Sequence, residues 1–471
     1  MPNPVTPTFE TKLRGVLPPA TFREPSSRYA EEPRGLIHGR PGLVLAPATT
    51  DEVASILRAA GAAGVAVIPY SGGTGLVGGQ VSPDLVGPIV LSLERMARIR
   101  HVDAQSAVME VEAGAILADI QAAADDAGML FPLTLASQGS ARIGGLLSTN
   151  AGGVNVIRYG NARDLCLGVE AVLPDGSLYR GLTALRKNNL GYDLRNLLIG
   201  AEGTLGVITA ASLKLMAKPG DQAAAFFVVE SPAAALELLA LARAHVGEVL
   251  SAFELINGTG LAFLDETGLT VRQPFADKPD WMCLVDLGVM GAEGTATDAL
   301  MGLFEAADAA GLVRDGVISQ SEGQRRDFWT LREMIPEANK RIGSISSHDI
   351  AVPVARISDF IAEAPRRLAK IGTFRINSFG HMGDGNLHYN VFPPKGRSRD
   401  DYAHLRADVR RSVYDLVQEM AGSISAEHGI GRFKLEEQDR YGDPGLLAAM
   451  QAIKTALDPR GIMNPGAALR S

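Results

Sequence analysis

The chain has 471 residues, 46% of them hydrophobic and 21% charged, which is too much for one ordinary core and enough to build two or three self-folding domains. With 53 acidic against 45 basic residues, neither nucleic acid nor an anionic membrane is an expected partner. Only Cys166 and Cys283 are present, in no CxxC pattern, so a disulfide framework and a thiolate zinc site are excluded and both are expected as buried small hydrophobes.

The N-terminal "MPNPVTPTFETKLRG" has no apolar h-region, and no later run approaches the ~20 residues of a spanning helix. A cytoplasmic protein is expected, meeting a membrane only through a partner. Thr49 and Glu52 form a capping-box pattern ahead of "DEVASILRAAGAAG", a helix that Gly61 and Gly64 should close. The apolar strand "VAVIP" follows, and then "PYSGGTGLVGGQ" at 69–80, with five glycines between Gly72 and Gly79. Such a loop is either a flexible surface turn or a cradle in which successive backbone N–H groups converge on an anion. It is neither a Walker A loop, which needs GKS or GKT, nor the opening of a dinucleotide-binding βαβ unit. Two further small-residue segments repeat the theme, "PLTLASQGSARIGGLLSTNAGG" at 132–153 and "NNLGYDLRNLLIGAEGTLGVIT" at 188–209. Three of them in this order suggest a large polar ligand threaded between two subdomains.

"PYSGGTGLVGG", "GGLLSTNAGG" and "LIGAEGTLGVIT" resemble the FAD-binding domain of the vanillyl-alcohol oxidase/p-cresol methylhydroxylase flavoprotein superfamily. Within it they look most like the branch of D-lactate, glycolate and D-2-hydroxyglutarate dehydrogenases. The resemblance runs from about residue 40 to "LDPRGIMNPG" near the end. It implies an α+β fold: a two-subdomain FAD-binding domain over 1–218, an α/β substrate-binding cap over 219–420, and a segment 421–471 that returns to the flavin domain and completes the active site. By the same resemblance, Pro69, Ser71, Gly72, Gly73, Thr74 and Gly75 hold the FAD pyrophosphate and ribityl chain together with Ser137, Ser140, Gly144, Gly145, Ser148, Thr149, Asn150 and Gly152. Glu202, Gly203, Gly206 and Ile208 are implied near the adenosine and isoalloxazine, and Asn464 joins the cofactor-binding set. Some relatives anchor flavin covalently through a histidine in the first loop; residues 69–80 contain none, so non-covalent FAD is expected.

After Lys218 the texture becomes strand and helix in alternation: "AAAFFVVE" then "SPAAALELLALARAH", "MCLVDLGVM" then "TATDALMGLFEAADAAG", "SHDIAVPV" then "ARISDFIAEAPRRLAKIG". These units indicate an α+β or α/β substrate domain. Residues 377–390, "NSFGHMGDGNLHYN", and 425–434, "SAEHGIGRFK", gather His381, His388 and His428, three of only eight histidines, near Asp384, Asn390 and Glu427. The GDG is a turn signal, so a hairpin is expected that brings His381 and His388 together. In "LHYNV", period-two alternation puts His388 and Asn390 on one face. Two histidines and a carboxylate match a catalytic divalent site of zinc or a similar ion, although hydrogen-bonded structural histidines are the bland alternative. The resemblance goes further: "GHMGDGNLH" and "AEHGIG" imply His381, His388 and Glu427 as metal ligands, His428 as catalytic base and Asn390 as a substrate contact.

Oxidising a 2-hydroxy acid also needs a planar cation for its carboxylate. On spacing alone Arg332, in "FWTLREMIPEANKR", competes with Arg325, Arg326, Lys340 and Arg341 on a helix whose charges suit a solvated face; its W-x-x-R-E context, which matches the family motif, selects it. Some relatives acting on D-2-hydroxyglutarate carry a threonine and a lysine where this chain has Pro336 and Ser347. Lys340, Arg341 or His348 can replace that grip on a second carboxylate, or the substrate lacks one, as lactate does. The expected activity is FAD- and divalent-metal-dependent oxidation of a D-2-hydroxy acid, with D-2-hydroxyglutarate preferred. Electrons would pass to a separate acceptor such as electron-transfer flavoprotein or quinone, and a homodimer is a possible assembly. The alternatives are a D-lactate or glycolate dehydrogenase, a non-redox flavoprotein like the ether-lipid synthases, and a flavin-free metal hydrolase or ligand-binding protein with a glycine-rich scaffold.

Overall fold

In the computed structural model, which describes residues 2–470, the helix expected after Thr49 spans Thr50–Ala63 (α1). Thr49 Oγ1 accepts from the Glu52 N–H at 3.2 Å. The other half of the capping box does not form, because the Glu52 carboxylate turns instead to the Ala48 N–H and the Thr21 hydroxyl. Gly61 stays inside the helix; Gly64, at φ 67, closes it in the left-handed conformation that glycine adopts without strain.

The chain divides into two compact units. The first comprises the described residues up to Gly153, Gly160–Lys218, and those from Glu427 onward. It holds a four-stranded sheet of β1 (Phe22–Arg23), β2 (Leu43–Leu45), β3 (Val67–Tyr70) and β4 (Ile89–Ser92), in the order β1-β2-β4-β3, with β2 and β3 parallel to β4. Val67, Ile68, Ile89 and Leu91 are fully buried, as the unbroken apolar runs of a parallel sheet require. A second, antiparallel sheet contains β5 (Ile99–Asp103), β6 (Val108–Glu112), β7 (Cys166–Val172), β8 (Leu178–Arg180) and β9 (Val207–Lys214), ordered β5-β6-β9-β7-β8. Cys166 lies buried on β7, where burial pushes its thiol up to about 12.

The second unit comprises Val154–Tyr159 and Pro219–Ala426. Its strands are β10 (Asp221–Val229), β11 (Leu250–Asn257), β12 (Trp281–Val289), β13 (Val313–Ile318), β14 (Ser346–Ala351), β15 (Arg375–His381) and β16 (Asn386–Phe392). They form one sheet in the order β13-β10-β12-β11-β15-β16-β14. Every pairing is antiparallel, so the alternation of strands with α2 (Pro232–Val246), α3 (Gly258–Glu266), α4 (Thr295–Ala309), α5 (Glu322–Ile342), α6 (Ile357–Leu368) and α7 (Arg406–Glu419) builds an α+β layer, not parallel crossovers. Residues that alternate along a strand part to opposite faces. Phe226 packs with Phe328 of α5, and its neighbour Phe227 with Phe304 of α4. The face under α3 and α5 is filled by Ile256, Leu284, Phe379 and Phe392 from the sheet against Leu261, Phe263, Leu331 and Ile335 from the helices. Cys283 of β12 is fully buried.

Helix α5 starts on Ser321, whose side chain accepts from the Gln324 N–H, and runs through Pro336 for 21 residues. The β15–β16 hairpin forms as the GDG turn requires, with Asn377 opposite Asn390 and Phe379 opposite His388. Gly385 is obligatory there: it sits at φ 91, and a Cβ would lie 2.4 Å from the Val352 carbonyl oxygen. Among the described residues no helix is long and apolar enough to cross a membrane.

Candidate active site

The first unit contains a cleft at the end of β3. Its walls are Pro69, Ser71, Gly72, Gly73, Thr74 and Gly75 from the first glycine loop, Gly144, Gly145, Ser148 and Thr149 from the second small-residue segment, Glu202, Gly203, Gly206 and Ile208 from the third, and Asn464. Gly72 lets two of these segments touch, since a Cβ would fall 2.6 Å from the Ser140 carbonyl oxygen. The Ser71 hydroxyl then accepts from the Gly145 N–H at 3.0 Å, locking the first loop to the helix Ile143–Ser148. Ser137, Ser140, Asn150 and Gly152 do not line the cleft. Asn150 instead accepts the Arg163 N–H through its side chain, and Ser140 contributes backbone to the contact with Gly72.

Glu202 and Asn464 reach the cleft with their side chains already engaged. The Glu202 carboxylate accepts the Ile430 and Gly431 N–H groups, each at 2.8 Å, and burial outweighs these donors to raise its pKa. The Asn464 amide donates to the Gly79 and Glu202 carbonyls and accepts from Arg432, which also holds the Gly78 and Gly79 carbonyls. These bonds pin the C-terminal segment to the glycine loop. Glu427 and His428 begin that segment: Glu427 Oε2 accepts the Gly153 N–H at 3.1 Å, and His428 Nε2 lies 3.8 Å from Glu427 Oε1.

In the second unit the hairpin brings His381 and His388 together, with ring centroids 5.3 Å apart. Asn390 follows on the His388 face, its amide donating to the His388 carbonyl at 3.0 Å. Glu254 of β11 stands opposite His381 in the register and gives it Oε1 at 2.5 Å from Nδ1. Its other oxygen accepts from Arg332 Nε at 2.6 Å. Burial alone would raise the Glu254 carboxyl, but Arg332 and His381 together hold it at about 2. Arg332 is therefore on no solvated face: it is 5% exposed and lies over the Phe379 ring at 4.6 Å. Arg326, Lys340 and Arg341 are the exposed cations of α5, and Arg325 turns inward to Asp286. Arg341 is bonded to Glu337 and the Thr267 carbonyl, and His348 to Ser346 and the Tyr389 carbonyl.

Comparison with known proteins decides the family. Residues 41–181 match the model described as FAD binding domain, and residues 218–468 the one described as FAD linked oxidases, C-terminal domain. The chain belongs to the FAD-linked oxidase family. It is 36% identical over 456 residues to the mitochondrial D-2-hydroxyglutarate dehydrogenase of Danio rerio, spanning 96% of this chain and 83% of that protein. It is likewise 36% identical over 453 residues to D-2-hydroxyglutarate dehydrogenase of Xanthomonas citri pv. viticola, spanning 94% of each. The solved structure of p-cresol methylhydroxylase with substrate bound superposes with a TM-score of 0.79 over 100% of this chain and 99% of that one, at 17% identity, which shows a shared fold.

Membership in an FAD-linked oxidase family makes FAD the cofactor against which the lining of the cleft is judged. Closely approaching glycine backbone and left-handed turns at Gly73 and Gly78 suit the phosphates and ribityl chain of FAD. The glycines were legible in the sequence; Tyr70, Gln80 and Arg142, which also line the cleft, were not, because nothing in their local sequence separates them from surface residues. A divalent ion fits the imidazole pair as well. His381 is held through Nδ1 by Glu254, and His388 Nδ1 lies 3.9 Å from Asp349 Oδ1, within ion-pair reach. With Nδ1 taken by Glu254, His381 presents Nε2 as the ligating atom. Glu254 and Asp349 were missed in the sequence, but Glu254 left a signal: an acid inside "LSAFELIN", an otherwise apolar strand, has to be paired when buried.

Proposed function

We propose that this chain oxidises a D-2-hydroxy acid to the 2-oxo acid with non-covalently bound FAD and a divalent ion, zinc first, held by His381, His388 and Glu427. The observation that carries the reading is the single carboxylate of Glu254 joining an inward-turned arginine to a histidine of an imidazole pair. A buried guanidinium beside a potential metal site suits a substrate with a carboxylate next to its reacting carbon. When bound, FAD supplies a two-electron acceptor and the ion supplies Lewis acidity at the substrate's hydroxyl and carboxylate oxygens. Arg332 takes the carboxylate on its terminal nitrogens, since Nε is committed to Glu254. Asn390 orients a substrate oxygen through its amide. His428 accepts the hydroxyl proton on a ring nitrogen, which lets C2 release its hydrogen with the bonding electron pair. A separate acceptor, such as electron-transfer flavoprotein or a quinone, reoxidises the cofactor.

D-2-hydroxyglutarate is the preferred substrate because the relatives at 36% identity carry its name. D-lactate is the second reading, favoured by the engagement of Arg341 and His348 elsewhere. His428→Ala tests the chemistry. With FAD content unchanged, turnover of the preferred acid with an artificial electron acceptor should fall by about 10²–10⁴-fold, the usual contribution of a general base. Near-normal turnover would remove His428 from the mechanism.

A further inference from the structure

A fully buried carboxylate on a central strand costs several kcal/mol unless its partners are well placed. The second unit buries two under helix α5, Glu254 and Asp286, and they are used differently. Asp286 takes both partners from α5, Arg325 through Nε and Nη2 and Trp329 through its indole N–H. It anchors the helix. Glu254 divides its two oxygens between elements: Oε2 goes to Arg332 of α5 and Oε1 to His381 at the end of β15. At 2.5 and 2.6 Å both contacts are short, as charge-assisted bonds are.

We propose that Glu254 is a positioning residue that sets the metal-ligating imidazole of His381 and the carboxylate-binding guanidinium of Arg332 with one side chain. The inference rests on the function proposed above. Holding Nδ1 fixes the His381 tautomer and aims Nε2; holding Arg332 Nε, with the Phe379 ring behind, leaves the two terminal nitrogens as a planar fork. Because one carboxylate serves both, weakening it should loosen ion binding and substrate-carboxylate binding together. A residue that only held α5 in place would change neither selectively.

The test uses the FAD-loaded, chelator-stripped full chain with Zn2+ as the probe, titrated by calorimetry against a competing chelator. Glu254→Gln keeps the shape and removes the charge. The expected result is wild-type FAD content, Zn2+ affinity lower by about 10–100-fold, and, at saturating Zn2+, a raised KM for the 2-hydroxy acid with a smaller change in kcat. Glu254→Asp, which keeps the charge but retracts it, should recover part of both losses. If Glu254→Gln purifies without flavin, Glu254→Asp decides the matter by the same titration and the same kinetics. Unchanged Zn2+ affinity and KM in a flavin-loaded variant would overturn the positioning role while leaving the proposed function intact. If the wild-type chain itself takes up no Zn2+ in this assay, the metal assignment and the inference fall together.

Discussion

Glu94 shows how a side chain's surroundings fix its contribution. Its carboxylate accepts from Arg23 Nε and from the Tyr29 hydroxyl, both at 2.8 Å, with Arg28 at 3.3 Å. Burial works to raise its pKa, but the Arg23 and Tyr29 bonds win and the value is lowered from the ordinary 4.5. A depressed carboxylate stabilises the fold fully above its unfolded pKa and loses that contribution as pH falls through the folded one. Glu94→Gln should therefore lower the melting temperature at pH 7, by ~2–4 °C per kcal/mol lost, and the gap to wild type should close below about pH 4. Calorimetric melts at pH 7, 5 and 2.5 check it: the gap should be the same at pH 7 and 5 and shrink at pH 2.5, and a gap unchanged at pH 2.5 would mean that the charge is not what Glu94 contributes. At the same scale, His381 and His388 could be singled out from the sequence because imidazoles are few and a turn signal lies between them. Glu254 could not be assigned to them, since its pairing depends on β11 lying beside β15, a long-range choice that no local pattern encodes.

Helix α5 carries its polar residues into the sheet on one stripe: Arg325, Trp329, Arg332 and Asn339 meet Asp286, Glu254 and Asn377. The spacing of these positions follows helical periodicity, with Phe328, Leu331 and Ile335 filling the apolar space between. Read by composition alone the helix looks like a solvated charged face, and for Arg326, Lys340 and Arg341 that is correct. The inward arginines are distinguishable only once the acids in "FELIN" and "VDLGV" are recognised as buried. Asp286→Ala takes from Arg325 the partner of its Nε and Nη2, leaving only the Glu322 contact at 3.4 Å, and should cost ~1.5–3 kcal/mol, whereas Trp329→Phe removes one donor and should cost ~1 kcal/mol. Urea unfolding midpoints order the two; negligible losses in both would mean that α5 is held by its apolar stripe alone. The hairpin was legible because a two-residue repeat and a glycine turn are both local. The half-formed capping box at Thr49 was not, because Glu52 is drawn to Thr21, a partner far away in sequence.

For the whole molecule, the three glycine-rich segments indicated a large polar ligand, their resemblance to a flavoprotein superfamily indicated FAD, and the family matches over 41–181 and 218–468 agree. What local sequence leaves open is the choice among hydroxy acids, because selectivity beyond the reacting carbon depends on which cations face the substrate. Pro336 and Ser347 stand where the D-2-hydroxyglutarate pattern has a threonine and a lysine, and the exposed or engaged positions of Lys340, Arg341 and His348 provide no obvious substitute. In the proposed reaction this chain reduces its own flavin with a D-2-hydroxy acid in a metal-dependent step. The most direct measurement is the anaerobic visible spectrum of the FAD-loaded protein on addition of D-2-hydroxyglutarate or D-lactate, before and after chelation. The expected result is loss of the oxidised flavin band with one of these acids, abolished by the chelator and restored by Zn2+. A flavin that stays oxidised with both acids and added Zn2+ would contradict the account, and bleaching that survives complete metal removal would contradict its metal-dependent step.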